Sequence, residues 1–390
     1  MASMVCIVGW AHSPFGKLPE ENTESLLRDV AKRSMTHSGI VADDVDGCFV
    51  GIMNNGLSAQ DFHAGLFSLA DEGFRHTPAV RVENACATGS AAIHAARDFI
   101  LSGRGRVALV VGVEKMTATP VGDVGDILLG ASYHKQEADV AGGFAGVFAK
   151  IAEAYFQRHG DQSETLARIA AKNHHNALSN SYAHIRKDLG FEFCNTVSEK
   201  NPYVAQPLRR TDCSLISDGA AAIVLADTET ALTMKRAVAF RAAVQVNEFL
   251  PLSKRDIARF DGAALAWKSA LETAKLSIHD LDLVETHDCF TIAELLEYEA
   301  MGLASEGQGS RIIDEGISQK DGPLPINPSG GLKAKGHPIG ATGVSMHVLA
   351  AMQLMDEADE MQISDAELAG IFNMGGAAVA NYVSILERIK

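Results

Sequence analysis

The chain has 390 residues, well past the ~250 at which single cores stop growing, so more than one domain is expected. Hydrophobic residues make up 47% and charged residues 21%, a globular balance that argues against extended disorder. With 49 acidic against 34 basic residues, net −15, the surface is wrong for nucleic acid or an anionic membrane, although a phosphate-bearing ligand needs only a local positive patch.

Read in chain order, MASMVCIVGW ends in a first strand and lacks the basic region and long apolar core of a leader. A helix is predicted from about Thr23 to His37, then a strand at GCFVG, a helix opening at Cys86, and a strand at VALVVGV. From about residue 118 to 209 strand signals fade, and amphipathic helices such as FAGVFAKIAEAYFQRHG and SETLARIAAKNHHNAL take over. The histidine pair His174-His175 in the second of these is expected on a solvated face. Alternation then resumes: AVAFRAAVQV, a helix from about Gly262 to Lys275, DLVETHD, a helix from about Ile292 to Met301, and the strand pair ELAGIFNM and AVANYVSIL. Such alternation predicts layered α/β domains. No apolar run approaches the ~18 residues of a membrane span. The C-terminal ERIK is no peroxisomal signal, and the expected location is cytoplasmic.

The alternation also repeats at the level of residues. Ala87-Thr88-Gly89 and Ala341-Thr342-Gly343 each open a helix of small residues, and Gly219-Ala220-Ala221-Ala222 and Gly376-Ala377-Ala378-Val379 each begin an apolar run. If these are equivalent points of two copies, the first copy holds an insertion between them, placed at 118–209. Both small-residue helices are apolar nearly all round, which marks them as buried and able to approach each other closely. A site at their N-terminal ends would sit between the halves.

The six cysteines form no CxxC pair, so neither a zinc ribbon nor a disulfide framework is indicated. Cys86, in VENACATGS, lies where helix N-H groups and dipole favour thiolate, making it a candidate nucleophile. A lone cysteine in an alanine-rich helix is more often inert filling, so its setting must decide. NPSGGLKAKGHPIGATG holds His337 between Gly336 and Pro338, just before the second buried helix, where the repeat places a partner for Cys86; a base beside a cysteine activates it. ETHDCF ends a strand with His287, Asp288 and Cys289, where ligands of α/β domains usually bind. His287 and Cys289 without a second pair do not suggest a metal site, and none is expected. In FNMGGAAVANY, Gly375 and Gly376 let backbone N-H groups face a ligand, as an oxyanion hole requires.

CATGS, HDCF, GHPIGATG and the terminal GGA run, in this order and spacing, resemble the thiolase superfamily over essentially the whole chain, and HDCF resembles its sterol carrier protein type. The resemblance implies two similar βαβαβαββ domains with buried central helices and an inserted helical loop domain. The corresponding boundaries are 1–117 with 210–230 for the first domain, 118–209 for the insert, and 231–390 for the second. It implies Cys86 as the acylated nucleophile, His337 as its activator, His287 and His337 as enolate-oxygen donors, and the N-H groups of Cys86 and Gly376 as the oxyanion hole. Most thiolases carry a second cysteine in a C-terminal CxG motif. Here that position reads Asn373-Met374-Gly375, and the HDCF cysteine, Cys289, is implied instead.

The implied reaction is cleavage of a 3-oxoacyl-CoA to acetyl-CoA or propionyl-CoA and a shortened acyl-CoA, or the reverse Claisen condensation. Coenzyme A is substrate rather than cofactor, and the state is a homodimer or homotetramer serving lipid and fatty acid metabolism. Two rivals are a thiolase-fold aldolase or acyltransferase subunit, and a non-catalytic acyl-CoA-binding subunit, each working with a partner chain. Acyl-chain selection is placed at about Val121 to Phe156, and Arg209, Arg210, Lys333 and Lys335 are candidates for the CoA phosphates.

Overall fold

The computed structural model describes residues 4–53 and 61–390; residues 1–3 and 54–60, which fall inside the expected first domain, lie outside them. Among the described residues one sheet has nine strands: β1 (Val5–His12), β2 (Gly47–Gly51), β3 (Ala79–Val82), β4 (Val107–Glu114), β5 (Gly219–Asp227), β6 (Val238–Asn247), β7 (Leu283–Glu285), β8 (Leu368–Gly375) and β9 (Ala380–Arg388). The α-helices of eight residues or more are α1 (Thr23–Ser38), α2 (Thr88–Leu101), α3 (Val121–Leu128), α4 (Gly143–His159), α5 (Ser163–Asn176), α6 (Asp261–Ala274), α7 (Thr291–Ala300) and α8 (Ile339–Leu354).

The order across the sheet is β3-β2-β4-β5-β1-β6-β9-β8-β7. Counted outward from the centre, the first half runs β1-β5-β4-β2-β3 and the second β6-β9-β8-β7, with Ile326 bridging β7 in parallel where β3 flanks β2. Each half therefore repeats the other's connectivity. Within the sheet, the described residues of the two halves pair at Cys6↔Ala239 and Ile7↔Val238. The register refines one expected equivalence: Glu114 pairs with Gly219 and Gly375 with Ala380. The counterpart of Gly219 is thus Ala380, and Gly376 belongs to the tight turn between β8 and β9.

β4 is buried along its whole length. Val107, Leu109, Val111 and Val113 face the α1 core, while Ala108 and Val110 face the other side. An apolar residue at every position is what a strand covered on both faces requires. α8 is buried at all sixteen positions and packs on β4, β5 and β8 as well as on α2. Its contact with α2 needs glycine on both sides. A Cβ at Gly89 would lie 2.7 Å from the Val344 nitrogen, and one at Gly343 2.3 Å from the Ser90 nitrogen. This close crossing brings the N-termini of α2 and α8 together. Between β4 and β5 the chain carries α3, α4, α5 and a short two-stranded hairpin.

Candidate active site

The turn that presents Cys86 is stapled by its own side chains. After β3, Ala85 takes φ 48°, the left-handed region that costs a non-glycine residue about 1 kcal/mol or more. Glu83 Oε1 accepts the Ala85 N-H at 2.6 Å, and Thr88 Oγ1 accepts the Asn84 N-H at 2.9 Å while donating to the Ala85 carbonyl at 2.6 Å. α2 begins at Thr88, two residues beyond Cys86. The expected acidification of the thiol does not hold. Burial, with smaller contributions from Glu114 and Glu83, pushes the Cys86 thiol up to about 12, although the N-H groups of Gly376 and of Cys86 itself act the other way. In a dry setting the cost of a bare thiolate outweighs the helix terminus. A base must therefore take the proton.

His337 follows a loop of five buried residues, Gly331–Lys335. Gly336, at φ +111°, has no room for a side chain, since a Cβ would lie 2.6 Å from Ser217 Oγ. The Thr342 hydroxyl donates to the Pro338 carbonyl at 2.9 Å and so accepts from His337 Nδ1, at 2.7 Å. Nδ1 carries the hydrogen, and Nε2, buried without a partner, keeps its lone pair. Burial, then Lys335, holds this imidazole down to about 3. It is neutral at physiological pH and can accept a proton.

His287 has the opposite tautomer. The Asn373 amide donates to His287 Nδ1 at 2.8 Å and to the Cys86 carbonyl at 3.2 Å, while Asn373 Oδ1 accepts from Ser90 at 2.8 Å. His287 Nε2 therefore carries the hydrogen and is a donor, also without a partner. Burial, then His337, holds it well below its ordinary value. The two rings meet edge to face, 5.1 Å between centroids. The sulfur of Cys86 and a nitrogen of each imidazole all lie within 4.8 Å of one another. Such a donor set could also take a soft divalent cation.

Asp288 ties the His287 segment to the loop of His337. Its carboxylate accepts the N-H of Leu332 at 2.6 Å, the N-H of Lys333 at 3.1 Å, and Asn173 Nδ2 at 2.8 Å. Burial, then Glu294, raises its pKa. Cys289 is buried, and burial, then Cys86, raises its thiol well above the ordinary range. Cys86, Cys289 and His337 line one cavity of about 470 Å³, walled by Val121, Leu128, Phe144 and Phe290 among others.

Other expectations are corrected. Arg209 is buried against Asp212, and Lys333 and Lys335 are buried beneath the site, so of the four candidate phosphate cations only Arg210 is exposed. His174 is buried and held down to about 3 by burial, then Lys333, whereas His175 is exposed. Asn373 and Thr342 carry the geometry with no site motif of their own, whereas Asp288 does so from within the HDCF element.

A thiol, a lone-pair imidazole and an N-H imidazole converge between two repeated α/β halves, an arrangement suited to cysteine-dependent acyl transfer. Residues 5–229 match the family described as "Thiolase, N-terminal domain" and residues 245–388 match "Thiolase C-terminal domain-like". The chain belongs to the thiolase family. It is 34% identical to an acetyl-CoA acetyltransferase of Methanothermobacter thermautotrophicus, over 98% of this chain and 99% of that one. It is 32% identical to human sterol carrier protein 2, over 96% of this chain and 70% of that protein. Among solved structures the "Ltp2-ChsH2(DUF35) aldolase" superposes with a TM-score of 0.82 at 18% identity, covering 99% of this chain and 98% of the other; at that identity the likeness concerns the fold.

Proposed function

We propose that this protein is a thiolase that moves an acyl group between coenzyme A and Cys86, cleaving 3-oxoacyl-CoA or running the reverse Claisen condensation. The observation that carries the reading is the meeting of Cys86, His287 and His337 within 4.8 Å, with the two imidazoles in opposite tautomers. Identity of 34% along nearly the full length of an acetyl-CoA acetyltransferase supports the same chemistry.

In this mechanism His337 Nε2 takes the Cys86 proton as the sulfur attacks the 3-keto carbon. The oxyanion receives the N-H groups of Cys86 and Gly376. The Gly376 N-H reaches the Cys86 sulfur, and its φ of +65°, with a Cβ there 2.9 Å from the Ala131 carbonyl, keeps a glycine in that turn. As the tetrahedral centre collapses, the bond between the 2- and 3-carbons breaks, and the enolate oxygen accepts a hydrogen bond from His287 Nε2-H. Cys289 gives its proton to the 2-carbon, releasing acetyl-CoA or propionyl-CoA. Free CoA then returns a proton to Cys289 and attacks the acyl-Cys86 thioester, and Cys86 leaves with the proton held on His337. No metal is required.

The arrangement of the chain supports residues 1–117 with 210–230 as one domain, 118–209 as an insert and 231–390 as the second domain. Among the described residues β3 is an edge strand, paired only with β2, and Val80 on it is half exposed. An open edge of this kind suits a homodimer, itself able to pair into a tetramer. Among the described residues no helix is long and apolar enough to cross a membrane, which agrees with the cytoplasmic location we propose. The test is a panel of 3-oxoacyl-CoA esters offered with free CoA, with mass spectrometry of the Cys86 peptide. Thiolysis with an acyl adduct on Cys86 is the expected result. Carbon-carbon cleavage without that adduct would favour the aldolase rival, and no turnover at all would favour a binding subunit.

A further inference from the structure

The acyl-transfer chemistry uses Cys86, Cys289 and His337 of the cavity lining and leaves another flank of that lining unexplained. That flank is α3, whose sequence VGDVGDIL places Gly122 and Gly125 three residues apart, on one helical face, and both line the cavity. Glycine inside a helix is destabilising relative to alanine, so two in eight residues call for a cause. Backbone conformation is not the cause, because neither residue has a positive φ. Crowding is not the cause either. Among the described residues, a Cβ at Gly122 or Gly125 would meet nothing within 4 Å, whereas most glycines near the site would collide with a neighbour, as Gly336 and Gly343 do. What the two glycines do is leave space.

The neighbouring walls say what belongs there. Val124 of the same helix packs with Met53, Met116 and Ile339 around Cys86, which fixes the glycine face relative to the sulfur. The same cavity is lined by Phe290, the residue after Cys289, stacked on Phe148 at 4.4 Å between centroids, with Phe144 edge-on to Phe148 at 5.6 Å. This wall is apolar and held by aromatic contacts from α4. A slot that is open on a glycine face and closed by an aromatic wall suits an alkyl chain.

We propose that Gly122 and Gly125 are specificity-determining residues that open a slot for the acyl chain, so that the preferred substrates are 3-oxoacyl-CoA esters with an alkyl chain longer than that of acetoacetyl-CoA. The proposal rests on the thiolase reading above and adds the substrate class. Gly125 lies half-buried within the slot and Gly122 at its mouth, so filling Gly125 should tell most.

The experiment compares kcat/KM for 3-oxooctanoyl-CoA and acetoacetyl-CoA, each with free CoA, in the wild type, Gly125→Ala, Gly125→Val and Gly122→Val. Wild type should favour the octanoyl ester. A methyl group or two in an apolar slot is worth about tenfold or more in discrimination, so Gly125→Val should lower the octanoyl-to-acetoacetyl ratio at least about tenfold, with Gly125→Ala and Gly122→Val falling between. Gly125→Ala adds a helix-favouring residue in open space and keeps the test independent of folding. If every variant lost both esters in equal proportion, the slot would hold the pantetheine arm common to all CoA esters, and the proposal would be overturned. An unchanged ratio in every variant would overturn it as well. Absence of thiolysis by the wild type on any ester is a different result, which removes the thiolase reading itself.

Discussion

The turn before α2 and the turn before α8 occupy equivalent places in the two halves, yet they are built in opposite ways. The first holds a strained alanine, Ala85, clamped by Glu83 and Thr88, and presents a sulfur. The second is loosened by glycine at positions 330, 331 and 336, all with positive φ, and presents an imidazole set by Thr342. Duplication supplies two helix N-termini side by side. The chemistry comes from what each turn adds, and the helix termini alone do not acidify the thiol, because burial wins.

The largest effects should come from removing either sulfur. Cys86→Ala should lower acyl transfer on the order of a thousandfold or more and abolish the covalent adduct. Cys289→Ala should still accept an acyl group from a saturated acyl-CoA, yet lose thiolysis and condensation to a similar extent. A Cys289→Ala enzyme with undiminished turnover would refute its role as the α-proton carrier.

Next in size are the residues that set the tautomers. Thr342→Val removes the acceptor of His337 Nδ1-H, and Asn373→Ala frees His287 to turn its donor away. Each should cost on the order of a hundredfold in kcat, with smaller changes in KM. They should differ in the step affected: stopped-flow acylation should slow in Thr342→Val, whereas exchange of the acetyl-CoA α-protons should slow in Asn373→Ala. Equal effects on both steps would mean that the two imidazoles share one task.

These two residues also mark where the sequence stops being legible. The motifs Cys86, His287, Cys289 and His337 are readable because each sits at a sharp change between strand, glycine turn and small-residue helix. Thr342 and Asn373 act through contacts across 5 to 86 positions of chain, and no local pattern announces those. Burial is equally silent. Lys333 and Lys335 look like phosphate ligands among glycines, but the loop folds under the site and Glu285 and Asp288 meet them there. His174 looks solvated because its helix carries polar residues on the buried side as well, where Lys172 and Asn173 reach Glu294. The repeat was legible through its helices, but the shared GAA string aligned a turn with a strand, which only the register of β8 and β9 corrects.

Acid should act on both halves together. Burial holds His12 and His94 of the first half, His337 of the second and His174 between them down to about 3, and His347 of the second to about 4. The unfolded chain titrates its imidazoles near 6.5. Between about pH 6.5 and 4 the unfolded state binds protons that the folded state does not, so stability falls as pH drops. Each group contributes a slope of about 1.4 kcal/mol per pH unit. Chemical denaturation should show a single transition whose midpoint decreases steadily from pH 7 to pH 5. A flat midpoint would contradict the neutral burial of these rings, and two separated transitions would mean that the halves unfold independently.

The smallest effect on stability, and the sharpest test of the contrast between the turns, is Ala85→Gly. Relief of left-handed strain is worth about 1 kcal/mol, and the extra freedom of glycine in the unfolded chain takes back about 0.4–1 kcal/mol. The two nearly cancel, so Tm should move by no more than about 1–2 °C in a protein of this size. Acylation should nevertheless slow several-fold, because a glycine turn lets the sulfur wander from His337 Nε2, and a small misplacement of a reacting atom is costly. The second turn tolerates glycine because Thr342 and the Asp288 contacts hold its imidazole from outside. If Ala85→Gly acylates at the wild-type rate, stiffness of the first turn plays no part, and the sulfur too must be held from outside, by the N-H of Gly376 and the packing of Met116 and Ile339.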